Sequence, residues 1–180
     1  EADEMFVEAE RLLKRNAQPG DNALNLSTLM FAYADAQRLD DAIRVARIEF
    51  REDDRSRALE AFTAVLVDAG RLDDAWNVAH AIVGTTQRAE ALLTLALAQA
   101  SKEPEKSRAL LGEIRDLVKT DERPDRKASV LTRLVRGFLA LCLVEQAITA
   151  AEMIPLHAFR ANAFRMLAHR CAANDASRAA

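Results

Sequence analysis

Apolar residues recur along the chain at the spacing expected of amphipathic helices. Ala58, Phe62, Val65, Leu66 and Ala69 fall on a single stripe. This spacing places their side chains on one face of a helix with 3.6 residues per turn. The pattern predicts an all-α protein with helices over residues 2–16, 22–36, 39–50, 55–69, 72–83, 86–101, 104–118, 125–141, 144–154 and 157–173.

A short motif repeats along the chain. Residues 38–46 read Arg-Leu-Asp-Asp-Ala-Ile-Arg-Val-Ala, and residues 71–79 repeat the motif 33 positions later with only two changes. More distant copies lie near residues 105–110 and 144–151. Between these copies a basic residue followed by alanine opens another helix. Each repeat is therefore predicted to be a pair of helices.

The short connections predict antiparallel hairpins that stack side by side. One hairpin cannot bury its apolar face alone, whereas stacked neighbours bury a continuous core. We expect a single repeat domain over residues 1–173 and a flexible tail over 174–180. A polar segment at 119–127 is predicted to be a surface loop, and a functional role for it stays open. The domain comprises a lone helix at 2–16 and units at about 22–54, 55–85, 86–124, 125–156 and 157–173.

Particular residues mark the expected helix ends. Gly70 lies where a left-handed residue would end a helix, and Pro104 suits a first helical turn. Acidic pairs favour the positive end of a helix dipole, although paired carboxylates could also serve metal or acid–base chemistry. These pairs are Asp40–Asp41, Asp53–Asp54 and Asp73–Asp74.

Composition narrows the classes of protein. The 180 residues are 50% hydrophobic with only 5 Gly and 4 Pro, which favours a helical globular chain. The net charge of -3 gives no general attraction to nucleic acid, although a local basic strip stays open. No apolar run approaches the ~20 residues that span a bilayer, so no membrane insertion is expected.

The compartment is predicted from the cysteines and the N-terminus. Cys142 and Cys171 lie in apolar helical patterns, which predicts reduced, buried thiols and a cytoplasmic protein, with a disulfide as the alternative. The chain starts at Glu1 without an initiator Met, so we expect a truncated N-terminus, and an additional targeting segment stays open.

No motif for catalysis or cofactor binding is present. The chain lacks a Gly-rich phosphate loop, His-Glu-x-x-His, Cys-x-x-Cys and a nucleophile elbow. We therefore predict a non-enzyme with no catalytic residue, metal or cofactor. His80 is expected to be partly exposed beside Trp76. Trp76 itself is interpreted as a core residue, with a partner contact as the alternative.

The repeats resemble those of the tetratricopeptide family over about residues 22–172. That family uses 34-residue helical hairpins. Met30, Thr63 and Val135 occupy positions where the family prefers small residues, most units lack its closing proline, and Ala-Gly-Arg-Leu-Asp-Asp-Ala also resembles pentatricopeptide repeats. The resemblance is carried by Leu26, Leu29, Tyr33 and Ala42, by Leu59, Phe62, Leu66, Gly70 and Ala75, and by Leu131, Leu134, Phe138 and Ala147.

This resemblance implies an α-solenoid of about five antiparallel hairpins that form a right-handed superhelix. The first helix of each hairpin would line a concave groove that holds a peptide or a helix of a partner protein. The family's paired Lys and Asn carboxylate clamp is not found here. The implied groove residues are Leu24, Ser27, Phe31, Arg57, Glu60, Ala64, Val67, Asp68, Glu90, Leu93, Leu97, Thr132, Arg136, Leu139, Asn162, Arg165 and His169.

The sequence therefore predicts a general class of function and not a particular partner. The first hypothesis is a protein-interaction scaffold, in which Arg136 and Arg165 are candidates to bind a carboxylate. The alternative is a structural arm of a larger protein, or a homo-oligomer joined through repeat ends that carry Phe164, Met166 and Leu167. An enzyme or a nucleic-acid binder is the third and least supported hypothesis.

Overall fold

The computed structural model describes residues 2–15, 22–46 and 52–179, and every regular element in these ranges is a helix. The predicted all-α class is therefore confirmed for the described residues. The predicted helix ends at 16 and 47–50 lie outside them. The helices are α1 (Ala2–Arg15), α2 (Asn22–Asp35), α3 (Leu39–Ala46), α4 (Glu52–Asp68), α5 (Leu72–His80), α6 (Thr85–Gln99), α7 (Pro104–Lys119), α8 (Pro124–Ala140), α9 (Val144–Glu152) and α10 (His157–Ala179).

The chain divides into two compact units, Glu1–Ala91 and Leu92–Ala180, and α6 crosses the boundary. In the first unit α2 contacts α1, α3 and α4, and α4 also contacts α5. Met30, Tyr33, Phe62 and Leu66 are almost fully buried there. These are the apolar positions of the α2 and α4 patterns, so the amphipathic stripe read from the sequence forms this core.

The second unit is organised around α8, which contacts α7, α9 and α10. Phe138 of α8 and Leu111 and Ile114 of α7 are buried in its core. The buried hydroxyl of Ser107 donates a hydrogen bond of 2.6 Å to the carbonyl of Ala96 and so ties the start of α7 to α6. Ser107 stands where other repeats have alanine, and its hydroxyl is accommodated because it finds this acceptor.

Three turns between helices share one hydrogen-bonding pattern. Gly70 has φ 74°, Gln37 has φ 61° and Cys142 has φ 58°, which confirms the predicted left-handed glycine and adds two further residues. At each turn the left-handed residue and its successor donate to carbonyls three and five residues back, respectively. This is the Schellman arrangement that ends a helix. The sequence repeat therefore also appears as a repeated turn geometry.

Replacement of Gln37 by glycine should stabilise the protein by about 0.5–1 kcal/mol. A non-glycine residue in the left-handed region costs roughly 1–2 kcal/mol, and glycine relieves this cost. Glycine's greater conformational freedom in the unfolded chain cancels only part of the relief. Urea unfolding followed by circular dichroism measures the change. Gly70→Ala is the reciprocal variant and should destabilise by about 1 kcal/mol. A loss of stability in Gln37→Gly would contradict this account.

Two predicted boundaries are wrong. The loop expected at 119–127 is only residues 120–123, because Lys119 still belongs to α7 and Pro124 opens α8, where proline's missing N–H costs nothing. The extra length of that repeat lies in α7, which has 16 residues against 9 in α5. The predicted end of the last helix at 173 is also wrong, because α10 continues to Ala179 through an alanine-rich stretch without Gly or Pro. The flexibility expected of residues 174–180 stays a prediction.

Candidate functional site

A groove of about 470 Å³ lies on the second unit and is lined by α8 and α10. It brings together four of the residues predicted from the sequence, Arg136, Leu139, Arg165 and His169. Arg136 and Leu139 lie three residues apart on α8 and so share one face of that helix. The residues that line it are Arg136, Leu139, Arg165, Met166, His169 and Arg170.

The arginines at the groove have few internal partners. Arg165 donates a hydrogen bond of 2.7 Å to the side-chain oxygen of Asn162, and Arg170 donates to the sulfur of Cys142 at 3.4 Å. Both acceptors are neutral, so neither neutralises a guanidinium charge. Arg136, Arg165 and Arg170 are all exposed. The groove therefore presents positive charge to whatever enters it.

The local charge differs sharply from that of the whole chain. Residues 126–144 contain four basic residues and no acidic one, and residues 153–174 contain three arginines and two histidines, again without an acidic residue. The whole chain carries a net charge of -3. A basic surface on an acidic protein attracts anionic groups locally.

The groove floor is apolar. Leu139 is almost buried and Met166 is half-buried, and both line the groove together with the arginines. Met166 was noted in the sequence only as an apolar residue near a repeat end, and Arg170 was not selected at all. The helical spacing of Met166, three residues before His169 and four before Arg170, was the signal that could have identified them.

Two predicted site residues that do not line the groove are buried. Leu93 has no exposed surface and lies in the core of the second unit, close to Gly137. Thr132 is also buried, and its hydroxyl donates to the carbonyl of Ala128 at 2.7 Å. Their assignment to an exposed partner surface is therefore wrong, because Leu93 packs near α8 and the Thr132 hydroxyl is bonded within its own helix. Leu97 is exposed but does not line the groove.

Among the other predicted residues, Asn162 lies on α10 and binds Arg165, the side chain of Leu24 lies outside the described part of the structure, and the rest lie in the first unit. Arg57 and Asp68 are exposed on α4, where Glu60 and Val67 are half-buried, and the list is completed by half-buried Phe31 on α2 and Glu90 on α6. A separate groove of about 520 Å³ in this unit does not include any of them among its lining residues. Arg55 and Asp74 contribute opposite charges to that groove, so it lacks the uniform sign of the groove on the second unit. The role of the first-unit residues in binding stays a prediction.

The outer face of α1 carries a third surface feature. Glu4, Met5, Glu8, Ala9 and Leu12 line a shallow hollow of about 500 Å³. Met5 is 74% exposed, which is unusual for a large apolar side chain. The hollow therefore combines acidic and apolar groups, whereas the α8–α10 groove combines basic and apolar groups.

The inner face of α1 is held by a buried polar network. Glu10 accepts a hydrogen bond of 2.6 Å from the Tyr33 hydroxyl, and Arg44 approaches both oxygens of the same carboxylate at 2.7 and 2.9 Å. The Phe6 ring stacks on Tyr33 at 4.2 Å. Arg44 also pairs with Asp41. The hydrogen bonds that Arg44 and Arg38 donate to Asp41 lower the pKa of that carboxyl group. These contacts fix α1 on α2 and α3.

Tyr33 should titrate at higher pH in the folded protein than in denaturant. Burial raises the pKa of the Tyr33 phenol, and the hydrogen bond to Glu10 raises it further. The protonated Tyr33 phenol therefore adds to the free energy of unfolding. This contribution is complete below the unfolded pKa of about 10 and is lost as pH rises through the pKa of the folded protein. Phenolate absorbance measures this directly, because Tyr33 is the sole tyrosine.

Tyr33→Phe is the control and should remove both the absorbance change and this part of the alkaline loss of stability. The same titration midpoint in the folded and denatured protein would contradict the buried hydrogen bond.

The acidic pairs lie at the positive ends of helices, and two of the three pairs make local ion pairs. They lie in the first turns of α3, α4 and α5, as predicted. Arg38 donates to Asp41 at 2.8 Å, and Arg71 makes the equivalent pair with Asp74 in the next repeat. Across the described side chains, no group of three or more His, Cys, Asp or Glu is placed to hold a metal ion.

Two further interpretations from the sequence are wrong. Cys142 and Cys171 are both free and exposed, not buried, because Cys142 occupies a left-handed turn and Cys171 lies on an outer face of α10. Trp76 is 46% exposed and packs on the His80 ring at 3.9 Å, so it is not a core residue. Its role as a partner contact stays a prediction.

Comparison of the chain with family models, curated proteins and solved structures found no match. Among the described helices, none is both long and apolar enough to cross a membrane. The chemistry of the α8–α10 groove is therefore the main basis for a functional proposal.

Proposed function

We propose that this protein is a tetratricopeptide-like interaction scaffold, and that the α8–α10 groove binds a segment of a partner polypeptide. The observation that carries the proposal is the convergence of Arg136, Arg165 and His169 on one groove. In the proposed arrangement the hairpins stack as a right-handed α-solenoid, and α8 and α10 are the first helices of adjacent units.

The groove chemistry favours a polypeptide ligand. Arginine binds carboxylates with paired, directional hydrogen bonds, and the apolar floor of Leu139 and Met166 suits an aliphatic side chain. A helix or a short peptide with charged and apolar residues on one face supplies both. The groove volume lies within the range of natural small binding sites.

Site-specific photocrosslinking tests this proposal. A photoreactive residue at Met166 should capture a polypeptide in cells, and the same residue at Ala109, an exposed position of α7, should not. Arg136→Glu together with Arg165→Glu should abolish the capture at position 166. Equal capture at both positions, or none at 166, would count against the groove as a binding surface.

A structural arm is the second candidate, because α10 has an exposed face without large polar groups. Ala161, Phe164, Ala168 and Cys171 follow helical spacing and are all exposed. In an assembly, another helix would cover this stripe. A thiol reagent applied to a Cys142→Ser variant should then label Cys171 more slowly in cells than in the purified protein. Equal labelling rates would argue against this alternative.

A further inference from the structure

The guanidinium groups at the α8–α10 groove are not neutralised within the described part of the chain. Arg165 donates to Asn162 at 2.7 Å and Arg170 donates to Cys142 at 3.4 Å, and both acceptors are neutral. Among the described side chains no carboxylate pairs with either arginine or with Arg136. The groove therefore holds three positive charges that favour a partner with more than one negative charge.

Other arginines of the chain are paired with its own carboxylates. Arg44 lies 3.1 Å from Asp41, and Arg71 lies 3.1 Å from Asp40. The groove arginines lack such partners because the stretches of α8 and α10 that carry them contain no acidic residue. Their positive charge is therefore available to a carboxylate that comes from another molecule.

The positive charges are spread along the groove and come from two helices. Arg165 and Arg170 are five residues apart on α10, which separates their backbone positions by about 7.5 Å along the helix axis. Arg136 comes from α8. This distribution favours two carboxylates at separate positions of a ligand over one compact anion.

The apolar floor adds a preference for an aliphatic side chain beside the carboxylates. Leu139 and Met166 line the groove together with the arginines. On a helical ligand, two acidic residues four positions apart lie about 6 Å apart along the axis, and a residue between them at the third position shares their face. A helix with this pattern presents both kinds of group to the groove at once.

We infer that the α8–α10 groove binds an acidic amphipathic helix of a partner protein, whose contacting face carries two carboxylates one turn apart beside an aliphatic residue. This inference rests on the proposed function and names the chemical class of polypeptide that the groove takes. The small contact area makes the complex weak and reversible, and its charge makes it sensitive to salt.

Nucleic acid fits the groove less well. Among the described residues that line it there is no Phe, Tyr or Trp ring on which a base could stack, and the whole chain carries a net charge of -3. A phosphate backbone would also leave the apolar floor of Leu139 and Met166 unused.

Binding of designed peptides to the full chain tests the inference. The probe is a fluorescein-labelled, alanine-based helical peptide with two Glu one turn apart and a Leu between them on the same face. Its fluorescence anisotropy should show binding at least about tenfold tighter than that of the same peptide with Gln in place of both Glu. A peptide of the same composition whose two Glu lie on opposite faces should bind as weakly as the Gln peptide. Added salt should reduce the advantage of the Glu peptide.

Exchange of the groove charges provides the second arm. Arg136→Glu with Arg165→Glu should lose the Glu peptide and gain a peptide with Lys in place of both Glu, a gain that an unfolded variant would not show. Arg108→Glu with Arg126→Glu is the matched control, because both residues are exposed and neither lines the groove. This control should bind the Glu peptide as wild type does.

The outcomes separate this inference from the proposed function. Equal binding of the Glu and Gln peptides, or no binding of the Glu peptide, overturns the acidic helix as occupant. If a polypeptide is still captured at position 166 in cells, the scaffold function survives with a different occupant. If labelled single-stranded DNA binds wild type and not the Arg136→Glu, Arg165→Glu variant, while the Glu peptide does not bind, both the occupant and the polypeptide function are overturned.

Discussion

Phe138→Ala is expected to lower the free energy of unfolding by about 3–5 kcal/mol, the cost typical of removing a phenylalanine from a packed core. Phe138 is 2% exposed and lies on α8, the helix that contacts α7, α9 and α10. Its carbonyl also accepts the hydrogen bond that closes the turn before α9. Truncation of the side chain leaves a cavity where these helices meet. Chemical unfolding followed by circular dichroism measures the loss.

Phe164→Ala is the matched control. It removes the same side chain from α10 of the same unit, but Phe164 is 41% exposed, so the expected loss is below about 1 kcal/mol. Hydrogen exchange should also show weaker protection of α7, α8 and α9 in Phe138→Ala and little change in Phe164→Ala. Equal losses in the two variants would show that α8 does not organise the core of this unit.

The positions of the helices could be predicted from the sequence because local chemistry determines them. Apolar spacing marks each helix, and Pro104 and Gly70 act at the ends where their backbone preferences apply. The errors occurred where two local signals compete. Pro124 was interpreted as part of a loop although proline also opens helices, and the alanine-rich stretch of α10 was interpreted as a tail because Asn, Asp and Ser lie within it.

The candidate site was only partly predictable, because helical periodicity does not specify which neighbour covers a given face. Arg136 and Arg165 were found because the family resemblance assigned them to one surface, and the structure places both at one groove. The same reasoning placed Leu93 on that surface, but it is buried in the second unit. Cys142 was interpreted as buried because its left-handed backbone, which turns the chain, leaves no signature in apolar spacing.

Charged residues are distributed unevenly along the chain, and packing decides what each of them does. The acidic residues of α1 were visible in the sequence, as were the acid-free stretches of α8 and α10. Only the coordinates show that Glu10 faces inward whereas Glu4 and Glu8 line an outer hollow. A charge pattern therefore becomes a binding hypothesis only once burial and ion pairs have been assigned residue by residue, as for Glu8, which pairs with Arg11 at 2.9 Å.

Gly137→Leu is expected to destabilise the protein by about 3 kcal/mol, the upper end of the range for overpacked cores. Glycine in the middle of a helix normally costs about 1 kcal/mol relative to alanine, so its presence in α8 requires a reason. A Cβ atom at this position would lie 3.0 Å from a methyl carbon of Leu111 and 3.4 Å from one of Leu93. The missing side chain is what allows α8 to approach α7 and α6 closely.

Gly112→Leu is the control, because it makes the same change in α7, where a Cβ atom meets nothing within 4 Å. There the gain in helix propensity should dominate and stabilise the protein by about 0.5–1 kcal/mol. The two substitutions should therefore shift the urea midpoint in opposite directions. A stabilised Gly137→Leu variant would mean that α8 can move away from Leu111 at little cost, and the close packing of these helices would then not explain the glycine.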